Sequence, residues 1–242
     1  MCLLVLAWNL TPEQPLFLIG NRDEYHARAT QPLAHRAQRG WTGGLDLQAG
    51  GTWMAADAQG RFGVITNRPE IAAPTNAKSR GYLITEYLEQ NLTPLAYAEQ
   101  VSAKADHYAG FCLLLGDRTH MIYVSNDHRP VQVLRPGLYG LGNHGLDAQQ
   151  ARLSQAKAAV ALALKQGVND TARLWEQWGP TAGENTDSAR FIVGSSYGTR
   201  ATTLLTLSGS RMRMEERSYD AHGLVIGDQS ASWTVGGDVV IA

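Results

Sequence analysis

Cysteine is scarce in this 242-residue chain: Cys2 and Cys112 are the only two. Two thiols give no disulfide framework and no four-cysteine zinc site, so the fold must rest on a packed core. A chain of this length can bury enough surface within one domain, and residues 1–242 are read as a single domain. Neither sign of charge is in excess. Lys and Arg number 21 against 22 Asp and Glu, a formal net charge of −1. That excludes broad electrostatic attachment to nucleic acid or to an anionic membrane. No apolar run approaches the roughly 18 residues that a spanning helix needs, so no integral membrane segment is expected. The opening stretch, Met1-Cys2-Leu3-Leu4-Val5-Leu6-Ala7-Trp8-Asn9, lacks a basic head and its apolar run is short. It reads as an interior strand rather than a signal peptide, and the expected compartment is the cytoplasm.

Glycine, by contrast, is plentiful at 25 residues, which suits many strand-connecting turns. Residues 3–9 and 16–22 are strand-like, split by the turn Thr11-Pro12-Glu13-Gln14-Pro15. A glycine-rich loop holding Gly43, Gly44, Gly50 and Gly51 is expected next, followed by a hairpin of 52–57 and 61–67. The period then becomes helical over 82–88. Thr93-Pro94 supplies an N-cap and first-turn proline for a second helix to about 106. Strands are expected at 110–116, 120–125, 131–134 and 138–143. A third helix is expected at 148–165, closed by Gly167, and a short fourth at 171–178. The remainder reads as strands at 189–194, 201–207, 212–219, and near Val225 and Val239. Strands joined by hairpins argue against a doubly wound parallel sheet. The order predicts an α+β fold: a four-layer αββα sandwich of two mainly antiparallel sheets, flanked by helix pairs.

Three groups of residues point to chemistry. Cys2 becomes the first residue once Met1 is removed, which a small second residue favours. It would then carry a thiol beside a free α-amine, whose pKa near 7.7–8.0 suits a general base. Nucleophile and base would share one residue. The second group is Asn21-Arg22-Asp23-Glu24, at the end of the second strand. If strands one and two form a hairpin, this cluster lies beside Cys2. Alternation then puts Asn21 and Asp23 on one face, Arg22 and Glu24 on the other, and the favoured reading, in which both Arg22 and Asp23 reach Cys2, requires a bulge or a turn beginning at Asp23. The third is the pair Asn67 and Asn143, each ending a strand, whose amides suit an oxyanion hole. Each also has a plain structural reading, as an ordinary second residue, a solvated turn and common turn asparagines respectively.

Other signals are weaker. Gly194-Ser195-Ser196-Tyr197-Gly198 matches the G-x-S-x-G nucleophile elbow, but that elbow needs a helix after it, and residues 200–207 are strand-like. It is read as a turn. The seven histidines show no metal-binding spacing, and no metal site is expected. His144, beside Asn143, has the chemistry of an axial haem ligand but reads more simply as a loop residue. Cys112 reads as core, and Trp8, Trp41 and Trp53 as pocket lining or core.

At Met1-Cys2 with Asn21-Arg22-Asp23-Glu24 the chain resembles the NRDE family, also called the transport-and-Golgi-organisation family. Further matches are Gly50-Gly51-Thr52-Trp53, Thr66-Asn67, Ser79-Arg80-Gly81, Tyr139-Gly140-Leu141-Gly142-Asn143 and Tyr197-Gly198-Thr199-Arg200, in order along nearly the whole chain. The chain departs from the family at Leu141-Gly142-Asn143, where Leu-Ser-Asn is usual, and in lacking a Trp-Pro pair near Gly145-Leu146-Asp147. The family in turn resembles N-terminal nucleophile (Ntn) hydrolases of the bile-salt hydrolase type. That implies an Ntn-like fold and the set Cys2, Arg22, Asp23, Asn67, Asn143 and Arg200. Two functions are weighed. In the first, Cys2 attacks an amide or thioester, with no cofactor required. In the second, the same pocket carries haem or an acyl-CoA, using Arg22, Arg80 or Arg200 for carboxylate or phosphate. Asn21, Glu24, Trp8 and Trp53 would complete the binding surface.

Overall fold

The computed structural model describes residues 2–166, 174–175, 178–180 and 190–241. Among them, fifteen strands form two sheets in which every paired neighbour is antiparallel. The eight-stranded sheet runs, in spatial order, β11 (Gly145–Leu146), β10 (Gly137–Gly142), β1 (Leu3–Trp8), β2 (Leu16–Tyr25), β12 (Tyr197–Ser208), β13 (Arg211–Tyr219), β14 (Val225–Thr234) and β15 (Val240–Ile241). The seven-stranded sheet runs β3 (Thr30–Arg36), β4 (Trp41–Asp46), β5 (Met54–Asp57), β6 (Phe62–Asn67), β7 (Phe111–Gly116), β8 (Met121–Ser125) and β9 (Gln132–Val133).

The apolar runs explain the packing. In β1, Leu4, Leu6 and Trp8 point between the sheets, while Leu3, Val5 and Ala7 pack under helix α3 (Ala151–Gln166). In β7, Cys112 and Leu114 face the inter-sheet core. Phe111, Leu113 and Leu115 face α1 (Tyr82–Glu89) and α2 (Pro94–Ala103). A strand covered on both faces has no need of polar alternation, which is why these segments read as continuous apolar runs. Each such buried side chain contributes about 1.5–3 kcal/mol. The coarse expectation, α+β with two antiparallel sheets, is what the chain adopts. No helix among the described residues is long and apolar enough to cross a membrane.

Several local expectations change. Strands β3 and β4 occupy the stretch read as a glycine-rich loop, and Gly43 and Gly44 lie inside β4. A Cβ on Gly43 would sit 2.5 Å from the Met54 carbonyl oxygen, and one on Gly44 would sit 2.0 Å from the Trp53 ring. These two glycines serve close packing, not a turn. Gly50 and Gly51 do turn, with φ of +71° and +74°. Residues 190–194 are irregular rather than a strand, and α3 starts at Ala151, three residues later than expected. Gly167 and most of the expected fourth helix lie outside the described residues.

Helix α2 is capped as its sequence predicts: the Thr93 hydroxyl accepts from the Ala96 amide, with Pro94 in the first turn. Thr93→Ala is therefore expected to cost about 1 kcal/mol, read as a lower urea midpoint with an unchanged slope.

Candidate functional site

The β1–β2 ladder pairs Leu3 with Asn21 without a register shift. The head of β1 thus meets the tail of β2, and Cys2 lies beside the Asn21–Glu24 run. Alternation holds through this run. Arg22 turns toward the second sheet, where it meets Trp53, and Asp23 turns toward α3. The irregularity sits on the other side of β2, between Thr199 and Ala201 of β12, where Arg200 is the extra residue.

Asp23 and Asn21 are buried, and their side chains are bonded away from the inter-sheet space, although Asp23 also forms part of the cleft wall beside Cys2. Asp23 Oδ2 accepts from Arg152 at 2.5 Å, and Oδ1 accepts from the Thr199 hydroxyl at 2.6 Å. Burial pushes the Asp23 carboxyl up. Arg152 and the Thr199 hydroxyl pull against it, and the net direction is upward. Asn21 donates to the Arg190 carbonyl at 2.8 Å and accepts from the Thr202 hydroxyl at 2.6 Å.

Arg22 faces a cleft of about 340 Å³ whose walls include Cys2, Trp53, Asn67 and Arg80. Its guanidinium lies 4.5 Å from the centre of the Trp53 ring and donates to the Thr30 hydroxyl at 3.4 Å. Cys2 is half-buried. Burial pushes its thiol up, and the Asp23 charge adds to this. The charge of the N-terminal amine, then the Arg22 charge and the Asp23 backbone amide, pull it down, and the net direction is upward. A thiol raised in this way rests protonated at neutral pH and needs a base.

The rim is held by charge pairs. Arg28 grips Asp46 Oδ2 through Nε at 2.9 Å and a terminal nitrogen at 2.8 Å. Asp46 also accepts from the Gln48 and Ala49 amides. Burial opposes ionisation of Asp46, but Arg28 and these amides outweigh it and hold the carboxyl below its usual range. Glu24 lines the same rim, takes the Tyr25 amide at 2.9 Å and lies 3.8 Å from Arg28. Arg80 donates to the Gly110 carbonyl at 2.8 Å, and burial lowers its pKa.

The two asparagines are linked rather than equivalent. Asn67 is exposed at the end of β6 and lines the cleft. Asn143 is buried, and its Nδ2 donates to the Asn67 carbonyl at 2.7 Å. Arg200 lies outside the cleft, on the other side of Arg22. It donates to the Arg28 carbonyl and, at 3.3 Å, to the Thr30 hydroxyl. Trp8 sits at the far end of β1, paired with Leu16 and buried between the sheets. Trp41 packs on the helix side of the second sheet.

The remaining candidates fall elsewhere. His144 is exposed, 3.7 Å from Glu70. Cys112 is buried and accepts from the Tyr123 hydroxyl at 3.4 Å. Tyr197 and Gly198 open β12, so a strand, not a helix, follows the G-x-S-x-G run. Among the described residues, no group of three or more His, Cys, Asp or Glu is placed to hold a metal. Sequence reading missed Arg28, Thr30, Asp46 and Arg152. The Asp46 turn carried a local signal, an Asp followed by amides two and three residues on. Arg152 is 129 positions from its partner Asp23, and no spacing rule reaches that far.

Comparison with known proteins bears on the whole arrangement. The sequence model of the family described as Transport and Golgi organisation 2 matches residues 1–221. The Transport and Golgi organization protein 2 homolog of Bos taurus is 29% identical over 186 residues, covering 69% of this chain and 66% of that protein. The Mus musculus homolog is 28% identical over 180 residues, covering 69% of this chain and 65% of that protein. The Drosophila melanogaster protein is 30% identical over 124 residues, covering 46% of this chain and 44% of that protein. The chain therefore spans a little under two thirds of the mammalian relatives it matches.

Proposed function

Because this chain belongs to the Transport and Golgi organisation 2 family, the same family that the NRDE label names, we propose that the cleft is an Ntn-type reaction site acting on an amide or thioester. The observation that carries this reading is the half-buried Cys2 in one cleft with Arg22 and Asn67. The helix-covered sheets of the fold support an αββα Ntn-like arrangement. Removal of Met1 frees the Cys2 α-amine. The amine takes the thiol proton as sulfur attacks the carbonyl carbon. Asn67 donates its side-chain amide to the developing oxyanion, and Asn143 braces Asn67 through its carbonyl. The amine then returns the proton to the leaving amine or thiol, and water releases the acyl group from sulfur. Arg22 stabilises the negative charge that builds between sulfur and carbonyl.

The raised Cys2 thiol favours an internal base over a resting thiolate. A second reading is a carrier that holds haem, an acyl-CoA or another lipid in the same cleft. It is favoured by Arg80, a partly buried cation with no carboxylate within 4.0 Å among the described residues.

The two readings separate in one experiment. Protein made in cells is treated with S-phenyl thioacetate and read by intact mass and peptide mapping. A chain lacking Met1 that gains one acetyl on Cys2, much faster folded than unfolded in urea, and none in Cys2→Ala, is the expected result, and an equal rate in the unfolded chain overturns it. Full retention of Met1, or acetyl found only on other side chains, overturns the nucleophile reading. Saturable binding of haem or acyl-CoA that survives Cys2→Ala would then support the carrier.

A further inference from the structure

A second cavity, of about 230 Å³, adjoins the cleft across Arg22 and Trp53. We propose that it is an anion site, in which Arg22 and Arg200 hold a carboxylate or phosphate group borne on a small apolar body. Arg22 and Arg200 each donate to the same oxygen, Thr30 Oγ1, at 3.4 and 3.3 Å. That hydroxyl gives its own proton to the Arg28 carbonyl at 3.1 Å. Its two lone pairs and its proton are thereby all used, and two cations converge on one neutral group.

Contact counter-charge is missing at this point, and Glu24 acts on both guanidiniums only from beyond ion-pair distance. Arg28, Arg61, Arg68, Arg152 and Arg217 each have a carboxylate within 4.0 Å. Among the described residues, neither Arg22 nor Arg200 has one. Apart from Thr30, the Arg22 guanidinium has no hydrogen-bond acceptor among them, and Arg200 has the Arg28 carbonyl alone. The remaining N–H groups form two planar forks, the donor geometry that suits carboxylate and phosphate. Glu216 stands in the wall and feels the Arg22 charge, but it hydrogen-bonds neither guanidinium. Its oxygens take the Leu33 amide at 2.8 Å and the Thr203 hydroxyl at 2.9 Å, and burial pushes its carboxyl up.

The rest of the wall describes the guest. Trp53, Pro32 and Tyr219 are apolar surfaces, and Ile226, 68% exposed, stands at the mouth. Drug-sized pockets begin at about 300 Å³, so this cavity takes something smaller, an anionic group on one ring or a few carbons. The site does not depend on the Cys2 reaction. Arg22 is nonetheless common to both cavities, so an anion bound here sits one guanidinium from the thiol.

Calorimetric titration of the full chain carrying Cys2→Ala tests the site, and stays readable if the cysteine chemistry fails. The probes are benzoate, phenyl phosphate and inorganic phosphate. Saturable one-site binding of benzoate or phenyl phosphate is expected, weakened at least about tenfold by Arg200→Gln and partly restored by Arg200→Lys. Ser218→Phe, which fills the cavity from β13 and keeps both arginines in the sequence, should weaken it as much, and decides the matter if Arg200→Gln does not fold. Benzoate alone binding marks a carboxylate site, and phenyl phosphate alone a phosphate site. No saturable heat from any probe overturns the proposal. So does binding that stays within about twofold in the folded variants, or inorganic phosphate alone binding, which leaves the apolar walls without a role.

Discussion

Arg22→Ala and Asp23→Ala are expected to fail in opposite ways, although the two residues are neighbours on β2. Asp23→Ala removes the 2.5 Å partner of Arg152 and the acceptor of the Thr199 hydroxyl. Breaking a buried pair from one side leaves an uncompensated charge, at about 3–5 kcal/mol. That loss should appear as a large drop in the urea midpoint, with the rate per folded molecule little changed. Arg22→Ala leaves no carboxylate orphaned. It loses the contact with Trp53, about 0.5–2 kcal/mol, but removes the cation beside Cys2. The rate of Cys2 acylation should fall about a hundredfold. Equal destabilisation by both variants, with undiminished acylation by folded Arg22→Ala, would make the whole cluster structural.

Asp23 also carries a pH signature. Its folded pKa is raised because burial outweighs Arg152. A group raised on folding gives its stabilisation in acid and loses it as the pH climbs through the folded value. The stability gap between the natural chain and Asp23→Asn should therefore narrow from acid toward neutral pH. A gap that widens instead would show Arg152 pulling harder than burial pushes.

The sequence displayed some of this and hid the rest for identifiable reasons. Period-two alternation places Arg22 and Asp23 on opposite faces, and the bulge or turn at Asp23 that would bring both to Cys2 is absent, because β2 pairs with β1 without a slip. The apolar runs of β1 and β7 were equally legible. Strand β4 was not, since Gly43 and Gly44 look like a turn until Trp53 and Met54 are seen to cross them within van der Waals reach. Trp8 follows Cys2 by only six positions, but those positions form an extended strand that carries it to the opposite end of β1. Asn143 and Asn67 both end strands, yet one bonds the other's backbone. No residue pattern encodes such a contact between two sheets. Arg152, Thr199 and Thr30 acquire roles only once distant segments meet, so side-chain chemistry alone gave no reason to select them.

Gly51→Ala should be more damaging than the same change at its neighbour Gly50. Gly51 has φ of +74°, where an alanine costs about 1–2 kcal/mol relative to its relaxed backbone. The added Cβ would also lie 2.3 Å from the Gly81 carbonyl carbon and 2.7 Å from the Tyr82 nitrogen, at the head of α1. Backbone cannot swing aside as a side-chain tip can, so overpacking adds about 1–3 kcal/mol. The sum is about 2–5 kcal/mol. Displacing Gly81 also pulls on its bond from the Thr52 amide and moves Ser79 and Arg80, which line the cleft. Acylation of Cys2 should therefore fall even in molecules that remain folded. Gly50→Ala is the control. Its φ of +71° is just as left-handed, but its Cβ would meet the hydroxyl end of Tyr82, a side chain 42% exposed and able to rotate outward. It should cost only the backbone share, about 1–2 kcal/mol. Parallel urea titrations decide the point. Equal losses in the two variants would mean that left-handed geometry alone matters there and that the Gly51–Gly81 contact does not hold the cleft wall.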